Sequence, residues 1–186
     1  MKGGAVKTIQ CEMSEFQQEY MEKLAERANN IKNVDPREDN ALKMTGDGKK
    51  VSLSQRMIDP SLPYEENGKI YQCANYVAQE YKESKKIKGT QIIFLDMGTP
   101  KGKSNNAKAA AEEADATPDE GAQVYEDLKA RLVKLGIPAN EIAFIHDADS
   151  ARDQQAARQK IFNEMNDGTI RVLIGSTGKM GVGMNA

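Results

Sequence analysis

The sequence is poor in the residues that crosslink small folds or bind metals. It has two cysteines and one histidine in 186 residues. The cysteines, Cys11 and Cys73, lie far apart and show no paired spacing, so neither a disulfide framework nor a metal knuckle is indicated. The single histidine, His146, excludes a polyhistidine metal site. We therefore expect two reduced, structural cysteines and no metal centre.

Long apolar runs and an excess of one charge sign are also missing. The apolar runs are only strand-sized, far below the ~20 residues that a membrane span requires, and residues 1–10 lack the apolar core of a secretory signal. With 26 basic and 28 acidic residues the net charge is −2, so a surface that binds nucleic acid everywhere is excluded and any phosphate contact must be local. We expect one domain in a cytoplasmic protein without membrane partners.

The first half of the sequence is mainly helical in pattern. Residues 6–11 alternate loosely and predict a short strand. Ser14 with Gln17 forms the capping box typical of a helix start. Apolar residues then recur at helical spacing and predict one packed stripe. They are Phe16, Tyr20, Leu24, Ala28 and Ile31.

Proline and glycine divide the next segment. Asp35-Pro36 ends the first helix, and a short helix at 40–44 is expected to stop at a turn formed by the glycine-rich residues 45–48. Another short helix is predicted at 50–58. Helical spacing resumes over 70–81 after the prolines at 60 and 63.

The second half alternates strands with helices. Residues 91–95 are a short apolar run, typical of a strand buried on both faces. A helix at 124–135, a strand at 142–145, a helix at 151–166 and a strand at 170–174 follow. Short connections and near-continuous apolar strands predict a parallel sheet, and thus an α/β fold with a mainly helical N-terminal half.

Residues 101–123, between the first strand and its helix, have no apolar period. They are rich in Ala, Glu, Asp, Lys and Asn, and we interpret them as a flexible insertion. A flap that contacts DNA through Lys101, Lys103 and Lys108 is the alternative to the favoured solvated loop.

Ligands of open parallel sheets bind beyond the carboxyl ends of the strands, where neighbouring loops converge. Here the strand exits are 96–101, 146–150 and 175–185. The third is the most informative, because its glycines let backbone amides approach a phosphate while Ser176, Thr177 and Lys179 add donors. Phosphate binding at this edge is the first functional expectation.

Two common phosphate motifs do not fit the third exit. A P-loop needs an earlier glycine separated by four residues from Gly178-Lys179 and a Ser or Thr directly after the pair, but Leu173 and Met180 occupy those positions. The glycine spacing also differs from that of the dinucleotide-binding fingerprint.

Residues 172–185 resemble motif V of superfamily 2 helicases, especially the Swi/Snf-type branch. That motif has Ser-Thr, glycines four and six residues after the Thr, and Asn eight residues after it. Thr177, Gly181, Gly183 and Asn185 match this pattern. Gly178-Lys179 departs from the usual Arg-Ala, which leaves the detail of the phosphate contact open.

Other segments extend the resemblance over nearly the whole chain except 101–123. Residues 91–96 are similar to motif IV, and 144–163 resemble the next helicase block, with Asp147 in place of its usual Gly. Residues 11–20 resemble the lead-in segment of the same lobe. Residues 39–50, with 56–63 after them, resemble a narrower group, the large bacterial phage or mobile-element helicases that are often joined to an adenine-specific DNA methyltransferase.

The resemblance implies an incomplete second RecA-like lobe spanning 1–186, with a three-layer fold and motif VI absent. Its expected partners are DNA, the first RecA-like lobe of the same parent protein and a possible fused methyltransferase module. ATP would bind between the lobes, with magnesium held by the first lobe. The implied activity is that of a DNA-dependent ATPase, helicase or translocase, to which this chain contributes no catalytic residue. The residues expected to contact DNA are Met97, Gly98, Thr99, His146, Ser176, Thr177 and Lys179, and those expected to face ATP are Gly181, Gly183 and Asn185.

Other interpretations remain open at this stage. A non-enzymatic α/β module that binds phosphate or a nucleotide would use the same strand ends. His146 could be purely structural, and Asp96 and Asp147 are typical turn-forming residues. The cations at 49, 50 and 56 fit a solvated helical face as well as a basic patch, and the methionines at 180 and 184 are expected to pack.

Overall fold

The chain folds into an α/β structure, as predicted. The structure, a computed structural model, describes residues 6–100 and 122–180. The helices of these residues are α1 (Glu15–Asn30), α2 (Ala41–Leu53), α3 (Lys69–Glu83), α4 (Ala122–Lys134), α5 (Gln154–Asn166) and α6 (Thr177–Met180). The strands are β1 (Gln91–Phe94), β2 (Ile142–Phe144) and β3 (Val172–Gly175).

The three strands form one parallel sheet in the order β1-β3-β2. Gln91 and Ile142 both lie opposite Val172 at the start of the central strand. The predicted parallel arrangement is confirmed. Because β3 is central, the segment that follows it emerges between the exits of its two neighbours.

Apolar side chains bury both faces of the central strand. On one face, Val172 and Ile174 pack with residues of α3 and α4, including Leu128. On the other, Leu173 packs with Met165 of α5 and with Ile145. This alternation follows from the two-residue period of a strand and produces a sheet with helices on both sides.

Strand β1 differs from the prediction that it is buried on both faces. Ile93 is buried against α3 and α4, but Ile92 is 43% exposed and Phe94 is 53% exposed. The physical reason is its position at the edge of the sheet, where the helix that covers Leu173 does not reach. Composition alone could not distinguish this half-buried strand from a central one.

The predicted start of α1 is confirmed in detail. Ser14 Oγ accepts from the Gln17 amide at 3.2 Å, and the Ser14 amide donates to Gln17 Oε1 at 2.9 Å. Of the predicted apolar stripe, Leu24 is buried, whereas Ala28 is exposed. The capping chemistry therefore predicted this helix better than its stripe did.

Helix α2 corrects the prediction of a turn at 45–48 and of a separate helix at 50–58. It runs without a break through Gly46 and Gly48, and a short 3-10 helix, Gln55–Met57, follows it. Tertiary contacts offset the helix-weakening effect of the glycines. Arg27 binds Asp47 at 2.9 Å, and a Cβ at Gly48 would lie only 3.7 Å from a Leu24 methyl.

The predicted strand at residues 6–11 is wrong. These residues form no regular element, and Val6 is almost fully exposed. No strand lies beside them in the described part of the sheet, so the alternation has no ladder to join. The predicted insertion falls mostly outside the described residues, although its last two residues begin α4.

The structure also bears on the two cysteines and on membrane-spanning segments. Cys11 and Cys73 are both free and partly buried. Across residues 6–100 and 122–180, no helix is long and apolar enough to cross a bilayer.

Candidate functional site

The segment after the central strand is packed closely against its surroundings. A Cβ at Gly175 would lie 2.4 Å from Ile145 Cγ2 and 2.8 Å from Met180 Sδ, so only glycine fits. Met180 is buried as predicted and anchors α6 against the sheet. This close packing fixes the position of the three residues that follow the strand, Ser176, Thr177 and Gly178.

On one side, this segment is bound to the exit of β1. The amide of Thr177 donates to Asp96 Oδ1 at 2.6 Å, and its hydroxyl donates to Asp96 Oδ2 at 2.9 Å. Thr177 is exposed and Ser176 beside it is half-buried. One residue therefore presents two donors, on the surface, to a pair of anionic oxygens.

On the other side, Asp149 forms a charged cluster beyond β2. Its Oδ1 accepts from Arg158 Nη2 at 2.8 Å and from Lys179 Nζ at 3.1 Å. Burial alone would raise the pKa of Asp149, but the hydrogen bonds from Arg158 and Lys179 hold it below its ordinary value. The carboxylate thus stays ionised and fixes the Lys179 ammonium beside the exposed Thr177.

His146 lies beneath this cluster and is only 6% exposed. Its Nδ1 is 3.6 Å from Asp149 Oδ2, and its Nε2 is buried without a partner among the described residues. Burial lowers the pKa of His146, and Lys179 adds to that effect while Asp149 opposes it. A direct phosphate contact, as expected from the sequence, would require this buried ring to become accessible.

Tyr125 packs its ring edge-on against His146, with centroids 5.6 Å apart. Its hydroxyl donates to the Leu95 carbonyl, just before the β1 exit. Burial raises the pKa of Tyr125, so the phenol remains a neutral donor. Through Tyr125, α4 therefore contacts the exits of both outer strands, at Leu95 after β1 and at His146 after β2.

The other predicted DNA contacts follow β1 directly. Met97, Gly98 and Thr99 are half-buried, and Gly98 has a φ of +74°, the left-handed conformation that favours glycine. The chain turns here and brings Asp96 towards Thr177. The predicted nucleotide-facing residues Gly181, Gly183 and Asn185 lie outside the described residues.

Sequence reasoning missed the charged partners that organise this edge. Asp149 is three residues beyond His146, a spacing that carries little signal, and Arg158 comes from the middle of α5. Asp96 was interpreted as a turn former, but its carboxylate binds Thr177, 81 residues away. The prediction that Asp147 is a turn-forming residue agrees better with the structure, because its carboxylate accepts a long 3.4 Å hydrogen bond from the nearby Phe144 amide.

Arg56 lies neither on a solvated helical face nor in a basic patch, the two settings predicted for it. It donates to Asp127 Oδ2 at 3.0 Å and to the Leu62 carbonyl at 2.6 Å, so it belongs to a largely buried ion pair. Within the described ranges, no group of three or more His, Cys, Asp or Glu side chains is placed to hold a metal ion.

No protein-family model, curated protein or solved structure matches this chain.

Proposed function

We propose that this chain is the second RecA-like motor lobe of a Swi/Snf-type, ATP-dependent DNA helicase or translocase, and that its strand exits contact DNA phosphates. The observation that carries the proposal is the pair of donors on Thr177. They already hold an anionic group, the Asp96 carboxylate, at hydrogen-bond distance. Thr177 is also the residue that matches the threonine of motif V.

A DNA phosphate could accept the same two hydrogen bonds that the Asp96 carboxylate accepts from Thr177. Backbone amides and hydroxyl groups are common phosphate ligands, and hydrogen bonds to charged acceptors are the stronger ones. The exposed position of Thr177 leaves it open to a ligand from solvent. Phosphate would displace the Asp96 carboxylate or share the donors with it.

Lys179 supplies the positive charge for this contact. Asp149 holds its ammonium at 3.1 Å, while the side chain remains 36% exposed. The described edge carries two cations, Lys179 and Arg158, and three carboxylates, Asp96, Asp147 and Asp149, so its net charge is slightly negative. Weak, salt-sensitive and sequence-indifferent binding follows, which is what a motor that moves along DNA needs.

The nucleotide side of the proposal rests on the resemblance alone. Gly181, Gly183 and Asn185 would face ATP, and magnesium would be held by the first lobe. The strand-exit geometry supports only the DNA side, through Ser176, Thr177 and Lys179.

A titration of the full chain with labelled single- and double-stranded DNA at two salt concentrations tests the proposal. We expect weak binding that falls with rising salt, with the shallow slope of a contact that uses one lysine. Thr177→Val removes the hydroxyl donor and should lower DNA affinity about tenfold, since ~1.4 kcal/mol is a plausible value for one hydrogen bond to a charged group. Thr45→Val, which alters an exposed hydroxyl on α2, is the matched control and should have no effect.

The same titration with ATP and ADP separates the alternative. Saturable nucleotide binding without DNA affinity would favour a non-enzymatic phosphate- or nucleotide-binding module. Equal DNA affinity of the Thr177→Val variant and the unmodified chain would contradict the proposed contact between Thr177 and a DNA phosphate.

We also predict that the chain alone shows no DNA-stimulated ATPase activity. Its sequence lacks P-loop spacing, and phosphoryl transfer depends on that loop, its magnesium ligands and an arginine finger worth about 10³ to 10⁵ in rate. Release of inorganic phosphate, measured with and without DNA, checks this. ATPase activity that co-elutes with the purified chain through two columns would contradict the prediction.

A further inference from the structure

A cavity of about 360 Å³ lies on the outer side of α4, away from the strand exits. It is enclosed between α4 and the segment that leads from α2 into α3. Its volume is in the range of small-molecule sites in proteins. It shares no lining residue with the strand-exit cluster of Asp96, Asp149, Thr177 and Lys179, so it is a separate feature.

One part of the cavity wall is apolar and aromatic. Ile70 and Tyr71 line it from the start of α3, and the buried Val124 lines it from α4. Tyr64 adds a second ring that is about half exposed. Such a wall favours a ligand with a flat apolar body.

Two cations from successive turns of α4 supply the polar part. The Arg131 guanidinium lies 3.7 Å from the centre of the Tyr71 ring, and its Nε is buried without a hydrogen-bond partner in the described residues. Lys134, three residues on, also lines the cavity and makes no ion pair in the same set. The Arg131 Nε, buried and without a partner, carries a desolvation cost that a ligand acceptor would remove, whereas Lys134 is exposed and adds only its charge.

The carboxylates that line the cavity are already engaged, with one exception. Asp127 accepts from Arg56 at 3.0 Å and from the Tyr64 hydroxyl at 2.8 Å. Glu65 accepts from Ser54 Oγ at 3.0 Å and from the Gln55 amide at 2.5 Å. Only Glu66, which is exposed, remains uncommitted. Two donor groups, Arg131 and Lys134, and one acceptor, the exposed Glu66, are therefore uncommitted on the cavity lining.

The backbone adds to this excess of donors. Helix α3 has 15 residues, and its N-cap, Gly68, offers no side-chain acceptor to the first-turn amides. Gly68 itself lines the cavity. Ile70 and Tyr71 of the first turn line the cavity together with Arg131, and uncapped amides at a helix start favour a negative group.

We propose that this cavity binds a small organic anion, an aromatic or aliphatic body that carries a carboxylate or a phosphate. The body would lie against Ile70, Val124 and the tyrosine rings. The anionic group would accept hydrogen bonds from Arg131 and Lys134. This site is independent of the DNA contact proposed above.

Three naphthalene probes that differ in one group test the proposal on the full chain. They are 1-naphthyl phosphate, 1-naphthoate and the uncharged 1-naphthol, each followed by ¹H–¹⁵N NMR titration. We expect saturable shifts at Gly68, Ile70 and Arg131 and an affinity for the two anions at least about tenfold above that for naphthol. The stronger of the two anions identifies the acidic group that the site prefers.

Arg131→Gln and Lys134→Gln should each weaken binding of the anions about tenfold and leave naphthol binding unchanged. Arg37→Gln, an exposed arginine before α2, is the control. Lys134→Gln guards against loss of the Arg131–Tyr71 stack, because Lys134 makes no such contact. Thr177→Val should not alter anion binding, so this proposal and the DNA proposal fail separately.

Equal affinity for all three probes, or anion binding unaffected by both α4 variants, would overturn the inference. Shifts confined to the exposed Ile92 and Phe94 of β1 would do the same, because they would place the probes on the apolar sheet edge.

Discussion

The pair of helices α1 and α2 in the first half and the parallel sheet in the second half are held together by different forces. In the first half, Arg27 binds Asp39 at 2.8 Å, and Gln17 Nε2 donates to the Val51 carbonyl at 2.6 Å. In the second half, Leu173 and Ile174 are fully buried among apolar neighbours. Directional polar contacts therefore link α1 to α2, whereas burial holds the sheet together with α3, which packs Ala74 and Val77 into the same core.

The comparison also shows where polar groups are left for function. In the helical half, polar side chains such as Gln17 and Gln55 are buried and serve structure. In the sheet half, Asp127 and Arg171 are likewise buried and hydrogen-bonded, but Thr177 and Lys179 remain accessible at one edge. The packed sheet positions this edge, and its accessible polar groups are open to a ligand.

The largest effect is expected in the sheet. Leu173→Ala should lower the free energy of unfolding by about 3 kcal/mol, because it removes a fully buried side chain from a packed layer. Urea denaturation measures this. The control is Leu42→Ala, at a 73% exposed position on α2, which should change stability by less than about 0.5 kcal/mol. Similar losses in both variants would mean that the sheet does not dominate stability.

A smaller loss is expected in the helical half. Gln17→Ala removes half of the capping box and leaves the Val51 carbonyl without its donor, for about 2 kcal/mol. Gln18→Ala, one residue on and exposed, should be almost neutral by the same denaturation assay. If the two variants were equally stable, directional bonds could not be what holds this half.

The smallest effect concerns pH and His146. Burial lowers the pKa of His146 below its ordinary value of 6.5, so the unfolded state binds the proton more readily than the folded state. Stability should be complete above pH 6.5 and fall as the pH drops below it, by at most about 1.4 kcal/mol per pH unit. His146→Gln should flatten this fall between pH 7.5 and 5.5. An unchanged slope would assign the pH dependence to other groups.

The sequence predicted the elements that local chemistry determines. The Ser14–Gln17 capping box, the alternation of strands and helices and the convergence of the strand exits all follow from short-range pattern. The interpretation of the exit after β3 as a place for anions stays a prediction, although Thr177 does hold a carboxylate there.

What sequence reasoning could not supply is long-range pairing. Asp96 meets Thr177 across 81 residues and Arg56 meets Asp127 across 71, and no local pattern encodes either contact. The same limit explains the error at Gly46–Gly48, where Arg27 and Leu24 of another helix stabilise a helix that its own composition disfavours. It also explains the error at β1, because the burial of that strand's second face depends on which distant element covers it.

The most direct test of the proposed DNA contact is the effect of Asp96→Asn on DNA affinity. The asparagine keeps the size of the side chain and one acceptor for the Thr177 amide, but it removes the negative charge that competes with phosphate. We expect Asp96→Asn to bind DNA several-fold more tightly at low salt, with no gain for Glu19→Gln, which removes one charge from an exposed position on α1. Unchanged or weaker binding by the Asp96→Asn variant would contradict the claim that Thr177 exchanges a carboxylate for a DNA phosphate.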